Sequence, residues 1–514
     1  MLRGAIGAKG MSERLYSGGR FRRAVRAFLV GRAAQGVAFF ILTLWLVRAL
    51  APADYGAYMA LWGMVELLSP LSSLGLLEST RRFLPDLATR GSTRAVRAFV
   101  RWTTLARLAI LLAWALIIAL LWGQITAWLG FDAIQTGQAW VVVVLVVTVL
   151  GLRYTCEMLE GLLEQRWSQL AYALMPMGRL AGLAVLVSMG SVSLGAVLWV
   201  DAVVSLCCLL LAEFFLLQRL HTLPAVGDHT VRLREVAAYA WHMAGANVLQ
   251  ATAGHGALRL IIARLLGLET AGLFAFLQQL VTMVSRYMPA QLLANIIRPM
   301  LIARRAEGES DIVARGLGLM WKSNVLIVMS GVAVLAVAGD ALMTFASGGR
   351  FTQAGSALLI LFVGAGATSQ GQVVNMAMQI HDQTRALRTQ SLLFLLVPLA
   401  AWWGAAWGIT AALAGIVVAL WLRNVVAMWW MRRHGVAFEL DWPGVGRQTL
   451  VVLLAALVGL VVDDRFGSWA AAVMVLAVLV VGALAARPVS AGEGEILVRV
   501  LKGKSWLLKP FVYR

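Results

Sequence analysis

Acidic side chains are scarce in this chain: 25 Asp and Glu stand against 44 Lys and Arg among 514 residues, for a formal net charge of +19. Charged residues of both signs make up only 13% of the sequence and apolar ones 61%, with a mean hydropathy of +0.81. That balance excludes a soluble globular protein. Cysteine is nearly absent, and Cys156, Cys207 and Cys208 all fall inside apolar runs, so neither a disulfide framework nor a metal cluster is indicated. There is no P-loop, HExxH pair or GxSxG turn, which leaves an ATPase or hydrolase without residues to stand on. A substantial outer loop carrying acids and histidines, as a membrane glycosyltransferase or polymer ligase usually needs, is also missing. Transport rather than catalysis fits these absences, and no catalytic residue, metal or cofactor is expected.

What is present is a series of apolar runs, each long enough at ~20 residues to cross a bilayer. About fourteen can be placed by that length criterion, near 28–48, 56–77, 102–123, 138–156, 170–189, 194–217, 238–265, 270–292, 317–338, 354–377, 388–404, 407–430, 449–463 and 467–486. The expected fold is therefore an all-α polytopic membrane protein. The positive charge follows topology and does not point to nucleic acid. Residues 1–26 hold seven Lys and Arg against Glu13, and 79–107 holds Arg81, Arg82, Arg90, Arg94, Arg97, Arg101 and Arg107 against Asp86. Further basic clusters alternate with connections that have few cations, chiefly Arg350 and Arg465. This is the positive-inside pattern, and it puts both termini in the cytoplasm. The first apolar run reads as a retained signal anchor. Cationic segments near the inner surface favour anionic lipid headgroups. Ser12 to Phe28 mixes arginines with apolar residues, and reads either as an interfacial helix or as an orienting tail.

One pattern occurs twice. Leu46-Val47-Arg48-Ala49-Leu50-Ala51-Pro52-Ala53-Asp54-Tyr55-Gly56-Ala57-Tyr58 aligns without a gap on Ile262-Ala263-Arg264-Leu265-Leu266-Gly267-Leu268-Glu269-Thr270-Ala271-Gly272-Leu273-Phe274. Arg48 meets Arg264 and Gly56 meets Gly272, 216 residues apart. Duplication of this kind builds many transporters, with a site between two lobes. The expected organisation is a basic N-terminal segment (1–23), an N-lobe of six helices (24–222), a polar linker (223–236), a C-lobe of six helices (237–434), an accessory helix pair (435–486) and a basic tail (487–514).

The Arg48–Gly56 stretch is followed by Ser72-Ser73-Leu74-Gly75-Leu76-Leu77-Glu78-Ser79-Thr80-Arg81-Arg82-Phe83-Leu84-Pro85. With the segment Glu160 to Arg179, and Gln379 to Leu422 with its Gly404-Ala405-Ala406-Trp407-Gly408, it resembles the polysaccharide transporter (Wzx-type flippase) family. That family belongs to the multidrug/oligosaccharidyl-lipid/polysaccharide (MOP) superfamily. The resemblance implies twelve core helices in two pseudo-symmetric lobes plus an extra pair. It also implies export of an undecaprenyl-pyrophosphate-linked oligosaccharide, the repeat unit of an O-antigen or exopolysaccharide, with polysaccharide polymerase and chain-length proteins as partners.

Ionisable groups inside spans are costly and mark candidate sites. The first helix offers Arg32 and Gln35. The second offers Glu66, in a stripe with Trp62, Ser69 and Ser73, and Pro70 as a kink. The seventh offers Asn247, Gln250, His255 and Arg259, and the eighth Gln279 and Arg286. One reading is a cationic central cavity in which Arg32, Arg259 and Arg286, with His255, hold a pyrophosphate through their planar, permanently charged forks. The alternatives are local. Arg32 and Arg286 serve as interfacial anchors, His255 bonds a neighbouring helix, and Glu66 either pairs with Arg32 or is protonatable. Arg48 and Arg264 read as caps of helix C-termini. Asp201, Glu213 and Arg423 have no partners assignable from sequence. The competing functions are a lipid II flippase, a cation-coupled multidrug exporter and a non-transporting subunit of a polysaccharide synthase. The exporter is disfavoured because the first and seventh helices lack Asp and Glu.

Overall fold

A computed structural model describes residues 18–131, 137–162, 164–223, 229–288, 291, 301–302, 304–305, 307–381, 392–436, 439–490, 493–494 and 512–513. Residues 1–17, the linker core 224–228 and most of the tail beyond 494 lie outside that set, as does the Ser12–Ser17 part of the proposed interfacial helix. The described residues fall into two compact units, Met1–Gly272 and Leu273–Arg514. Sixteen helices are described. Eleven are long and apolar enough to cross a membrane, or up to twelve counting one bent pair as a span. Each of the fourteen apolar runs contains helix, so the all-α polytopic class is correct.

In the first unit the helices are α1 (Gly18–Ala49), α2 (Pro52–Ser73), α3 (Leu76–Arg90), α4 (Thr93–Leu129), α5 (Ala139–Gly161), α6 (Gln165–Ser188), α7 (Leu194–His221), α8 (Leu233–Thr252) and α9 (His255–Leu266). Their limits follow local chemistry. Pro52 sits in the first turn of α2, where its missing N–H is harmless. Ser92 and Ser193 accept the Ala95 and Ala196 amides and cap α4 and α7. Along α4, Leu105, Leu108, Leu112, Leu116 and Leu120 are exposed in a stripe that only a hydrocarbon surrounding would favour.

Two expected spans are interrupted. The 56–77 run continues as α2 and α3, bent by 56° at Leu74 and Gly75, both left-handed with φ 43° and 76°. The 238–265 run is not one helix but α8 and α9, broken at Ala253–Gly254. Summed hydropathy across that run conceals the break, which Gly254 signals locally.

Both copies of the repeat fold alike, as helix, short break, helix: α1 into α2 at Leu50–Ala51, and α9 into α10 (Leu268–Ser285) at Gly267. Arg48 and Arg264 are exposed in the last turns of α1 and α9. The aligned glycines touch. A Cβ on Gly272 would come within 3.1 Å of the Gly56 backbone, and one on Gly56 within 1.8 Å of the Leu268 carbonyl oxygen.

The second unit continues from α10 with α11 (Ser310–Ser347), α12 (Gly355–Ile380), α13 (Leu396–Ala405), α14 (Ile409–Arg433), α15 (Trp442–Phe466) and α16 (Ser468–Ala486). At 38 residues α11 is roughly 57 Å long. One half packs on α12 and α14 through Leu317, Met320, Val373, Ala377 and Met431. Further along, Ala333 and Val337 pack on Val452 and Ala455 of α15 and Ala471 and Val475 of α16. A buried cation lies near the first of these contacts. The Lys322 Nζ meets Asp441 at 2.5 Å and Glu493 at 2.7 Å, while Asp441 also caps α15 by accepting the Gly444 amide. Glu493 and Ser490 bond each other's amides reciprocally, and β1 (Val489–Ser490) pairs in parallel with β2 (Val512–Tyr513).

Candidate functional site

The polar chemistry of the first unit is organised by α2. Tyr58, Trp62 and Glu66 recur every four residues and so share one side of the helix. The first two turn to α7. Tyr58 donates its hydroxyl to Asp201 Oδ2 at 2.7 Å, and Trp62 donates its indole N–H to the same oxygen at 3.1 Å. On the other carboxylate oxygen, Arg179 Nε of α6 forms an ion pair at 3.2 Å, and its guanidinium covers the Trp62 ring at 4.3 Å. Asp201 is 2% exposed and the Arg179 side chain 8%. A carboxylate so buried persists as a charge only when it is paired and hydrogen-bonded, and Asp201 is both.

One turn further along, Glu66 faces the other way in function. Its Oε1 pairs with Arg259 Nη1 of α9 at 3.2 Å. The Arg259 side chain is 6% exposed but that of Glu66 is 33% exposed, so the pair is open on one side. Its closeness depends on the helix crossing beside it. A Cβ on Gly256 would lie 2.3 Å from the Gly63 carbonyl oxygen, so any larger residue drives α2 and α9 apart.

The open side of Glu66 borders a cavity of about 220 Å³. From α2 it receives Glu66, Leu67 and Pro70; from α8, Asn247, Gln250 and Ala251; from the break and α9, Gly254, His255 and Gly256. Pro70 shapes it as well, because a proline four residues after Glu66 cannot donate to the Glu66 carbonyl. The side chains of Asn247, Gln250 and His255 form no hydrogen bond to other described residues. The cavity thus presents amide, imidazole, carboxylate and carbonyl groups. No group of three or more His, Cys, Asp or Glu suited to a metal occurs among the described residues.

Of the nine residues singled out in the sequence, five are brought together: Glu66, Asn247, Gln250 and His255 line the cavity and Arg259 pairs with its edge. Arg32 lies exposed and Gln35 half-buried on α1, neither of them in the cavity lining. Gln279, half-buried on α10, and Arg286, exposed in the turn after α10, belong to the second unit. Glu66 pairs with Arg259 in place of the Arg32 considered from sequence.

Sequence reasoning left Asp201 without a partner and did not single out Arg179. Opposite charges midway along two neighbouring apolar runs were the available signal. Glu213 finds Thr155, which donates to it at 2.6 Å. Arg423 of α14 is 3% exposed, with its guanidinium over Phe394 at 4.3 Å and bonded to Asn424 Oδ1 at 3.3 Å.

No family model and no curated protein sequence matches this chain. Solved structures do. A lipid II flippase, MurJ, in an inward closed conformation superimposes with a TM-score of 0.68 at 10% identity, over 92% of this chain and 99% of that one. An inward-facing multidrug resistance MATE family transporter of the MOP superfamily gives 0.61 at 12%, over 78% and 94%. A MOP superfamily transporter from Pyrococcus furiosus gives 0.53 at 15%, over 82% and 97%. At these identities the likeness establishes the fold alone, one that this chain shares with the three proteins named.

Proposed function

We propose that this chain is a flippase that exports an undecaprenyl-pyrophosphate-linked oligosaccharide, an O-antigen or exopolysaccharide repeat unit, across the bacterial inner membrane by alternating access. The observation that carries the reading is the polar cavity at the Glu66–Arg259 pair, set inside a fold shared with a lipid II flippase. A transporter of soluble cationic drugs would want unopposed carboxylates, whereas α1 and α9 contain none and Glu66 already faces a cation. Arg259 holds Glu66 in one conformational state and releases it in the other, so the pair acts as a latch. Arg32 and Gln35, exposed and half-exposed on α1, are proposed contacts for the phosphates. Gln279 and Arg286 are retained as proposed substrate contacts of their own unit. Termini in the cytoplasm and recruitment by anionic lipids belong to the same reading, as do a polymerase and chain-length proteins as recipients of the product.

Exporting a pyrophosphate with about two negative charges from a negative interior releases on the order of 4–5 kcal/mol per 100 mV. The test is flipping of a lipid-linked oligosaccharide in proteoliposomes with and without an imposed potential. Faster export under an inside-negative potential is expected, and indifference to potential would remove that drive. The second reading, a lipid II flippase, is favoured by the 99% coverage of that protein. Offering lipid II in the same vesicles separates the two. A polysaccharide-synthase subunit without transport activity would move neither.

A further inference from the structure

The cavity beside Glu66 has a composition that departs from what a pyrophosphate requires. Arg259, the cation nearest to it, is matched by Glu66 at 3.2 Å, and it is the carboxylate that borders the open space. A phosphate placed there would face like charge in a medium of low dielectric, where repulsion is strong. Three neighbouring side chains, Asn247, Gln250 and His255, have hydrogen-bonding capacity not used by described residues. Each amide offers two donors and an acceptor, the imidazole offers one of each when neutral, and the second Glu66 oxygen accepts. That mixture suits a partner whose groups both donate and accept, which is the chemistry of ring hydroxyls and of an acetamido group. Leu67 and Pro70 supply apolar surface for the C–H faces of such a ring.

Size points the same way. At about 220 Å³ the cavity is below the ~300–1,000 Å³ of sites for drug-sized ligands, a size that suits one ring better than a whole headgroup. A bare cation would leave most of the space unfilled, and Arg259 already occupies the carboxylate oxygen it would seek.

We infer that this cavity is a subsite for one monosaccharide ring of the transported glycan, and that the pyrophosphate is held elsewhere. The inference rests on the flippase reading for its biological meaning but is testable apart from it. Asn247 and Gln250 read ring substituents from α8, and Glu66, fixed by Arg259, accepts from a hydroxyl. His255, at the first position of α9, is placed by the Gly254 break to complete the ring of contacts.

The test is hydrogen–deuterium exchange on the intact wild-type chain in nanodiscs, following peptides that cover 247–256. The probes are free hexoses and N-acetylhexosamines at high millimolar concentration, inorganic pyrophosphate, and sodium chloride. Slower exchange with at least one sugar, and none with pyrophosphate or salt, is the expected result. Asn247→Ala and Gln250→Ala should each weaken that protection about tenfold, the loss of roughly one or two neutral hydrogen bonds. Protection by pyrophosphate and by no sugar would overturn the inference, as would protection by sodium alone. Protection by nothing would make the cavity a hydrated space. Flipping of lipid-linked oligosaccharide by the same wild-type preparation is measured in parallel. Flipping without sugar protection sinks the subsite alone, whereas sugar protection without flipping sinks the flippase reading and leaves the subsite.

Discussion

Two ion pairs lie against the same side of α2, about one turn apart, and they are built differently. Around Asp201 three helices converge: two hydrogen bonds, one ion pair and a stacked indole leave the carboxylate 2% exposed. Around Glu66 a single arginine makes contact, and a third of the acid remains exposed to a cavity. A sealed pair resists separation, because parting two buried charges without water costs several kcal/mol. A half-open pair can be exchanged for a ligand or for water at little cost. The same helix therefore borders a sealed pair at one end and a half-open one at the other, and the proposed function uses the second.

The largest effect should come from opening the sealed end. Arg179→Ala leaves Asp201 buried without its cation, a loss of about 3–5 kcal/mol. Thermal denaturation in detergent should show it, together with reduced membrane abundance. An Arg179→Ala protein of normal stability that no longer transports would move this pair to the working class. Next is the crossing between α2 and α9. Gly256→Val places carbons where the Gly63 oxygen now sits, and should abolish transport by separating Glu66 from Arg259. If cross-linking of cysteines placed on α2 and α9 were unchanged in that variant, the close approach would not matter.

At the working end the effects should fall on function rather than on stability. Arg259→Ala is expected to lower export about tenfold or more while abundance holds, because the Glu66 carboxylate it leaves behind is 33% exposed and can be hydrated from the cavity. Reversing both charges, Glu66→Arg with Arg259→Glu, should restore part of the rate if the pair is a latch. Normal export by Arg259→Ala would return the residue to structure. The smallest effect is expected at Arg32. Arg32→Ala should raise the apparent KM for lipid-linked substrate severalfold with little change in maximal rate, and an unchanged KM would mark Arg32 as an interfacial anchor.

Much of this was legible in the sequence, for a physical reason. Spans follow from apolar length alone, and the turn of the repeat follows from aligned small residues. The Trp62–Glu66 stripe and the cluster Asn247, Gln250, His255 and Arg259 were visible because periodicity reports which residues share a face. Which faces meet is another matter. Tyr58 reaches Asp201 across 143 residues and Arg259 reaches Glu66 across 193, and no local pattern encodes those approaches. The break at Gly254 was missed because hydropathy averages over a window longer than the two residues that create it. Without that break His255 reads as a mid-helix residue; with it, His255 opens a helix beside a cavity.

The buried lysine of the second unit has a consequence for how the protein is made. Lys322 is synthesised 171 residues before Glu493, one of the two carboxylates that neutralise it. At ~5–20 residues per second, α11 emerges about ten to thirty seconds before that acid exists. Asp441 becomes available first, 119 residues after Lys322, and Glu493 only after the last two apolar helices, so the ammonium gains its two carboxylates in separate steps. Synthesis of the segment that carries Glu493, after the last two apolar helices, is then the event that completes the seat of Lys322.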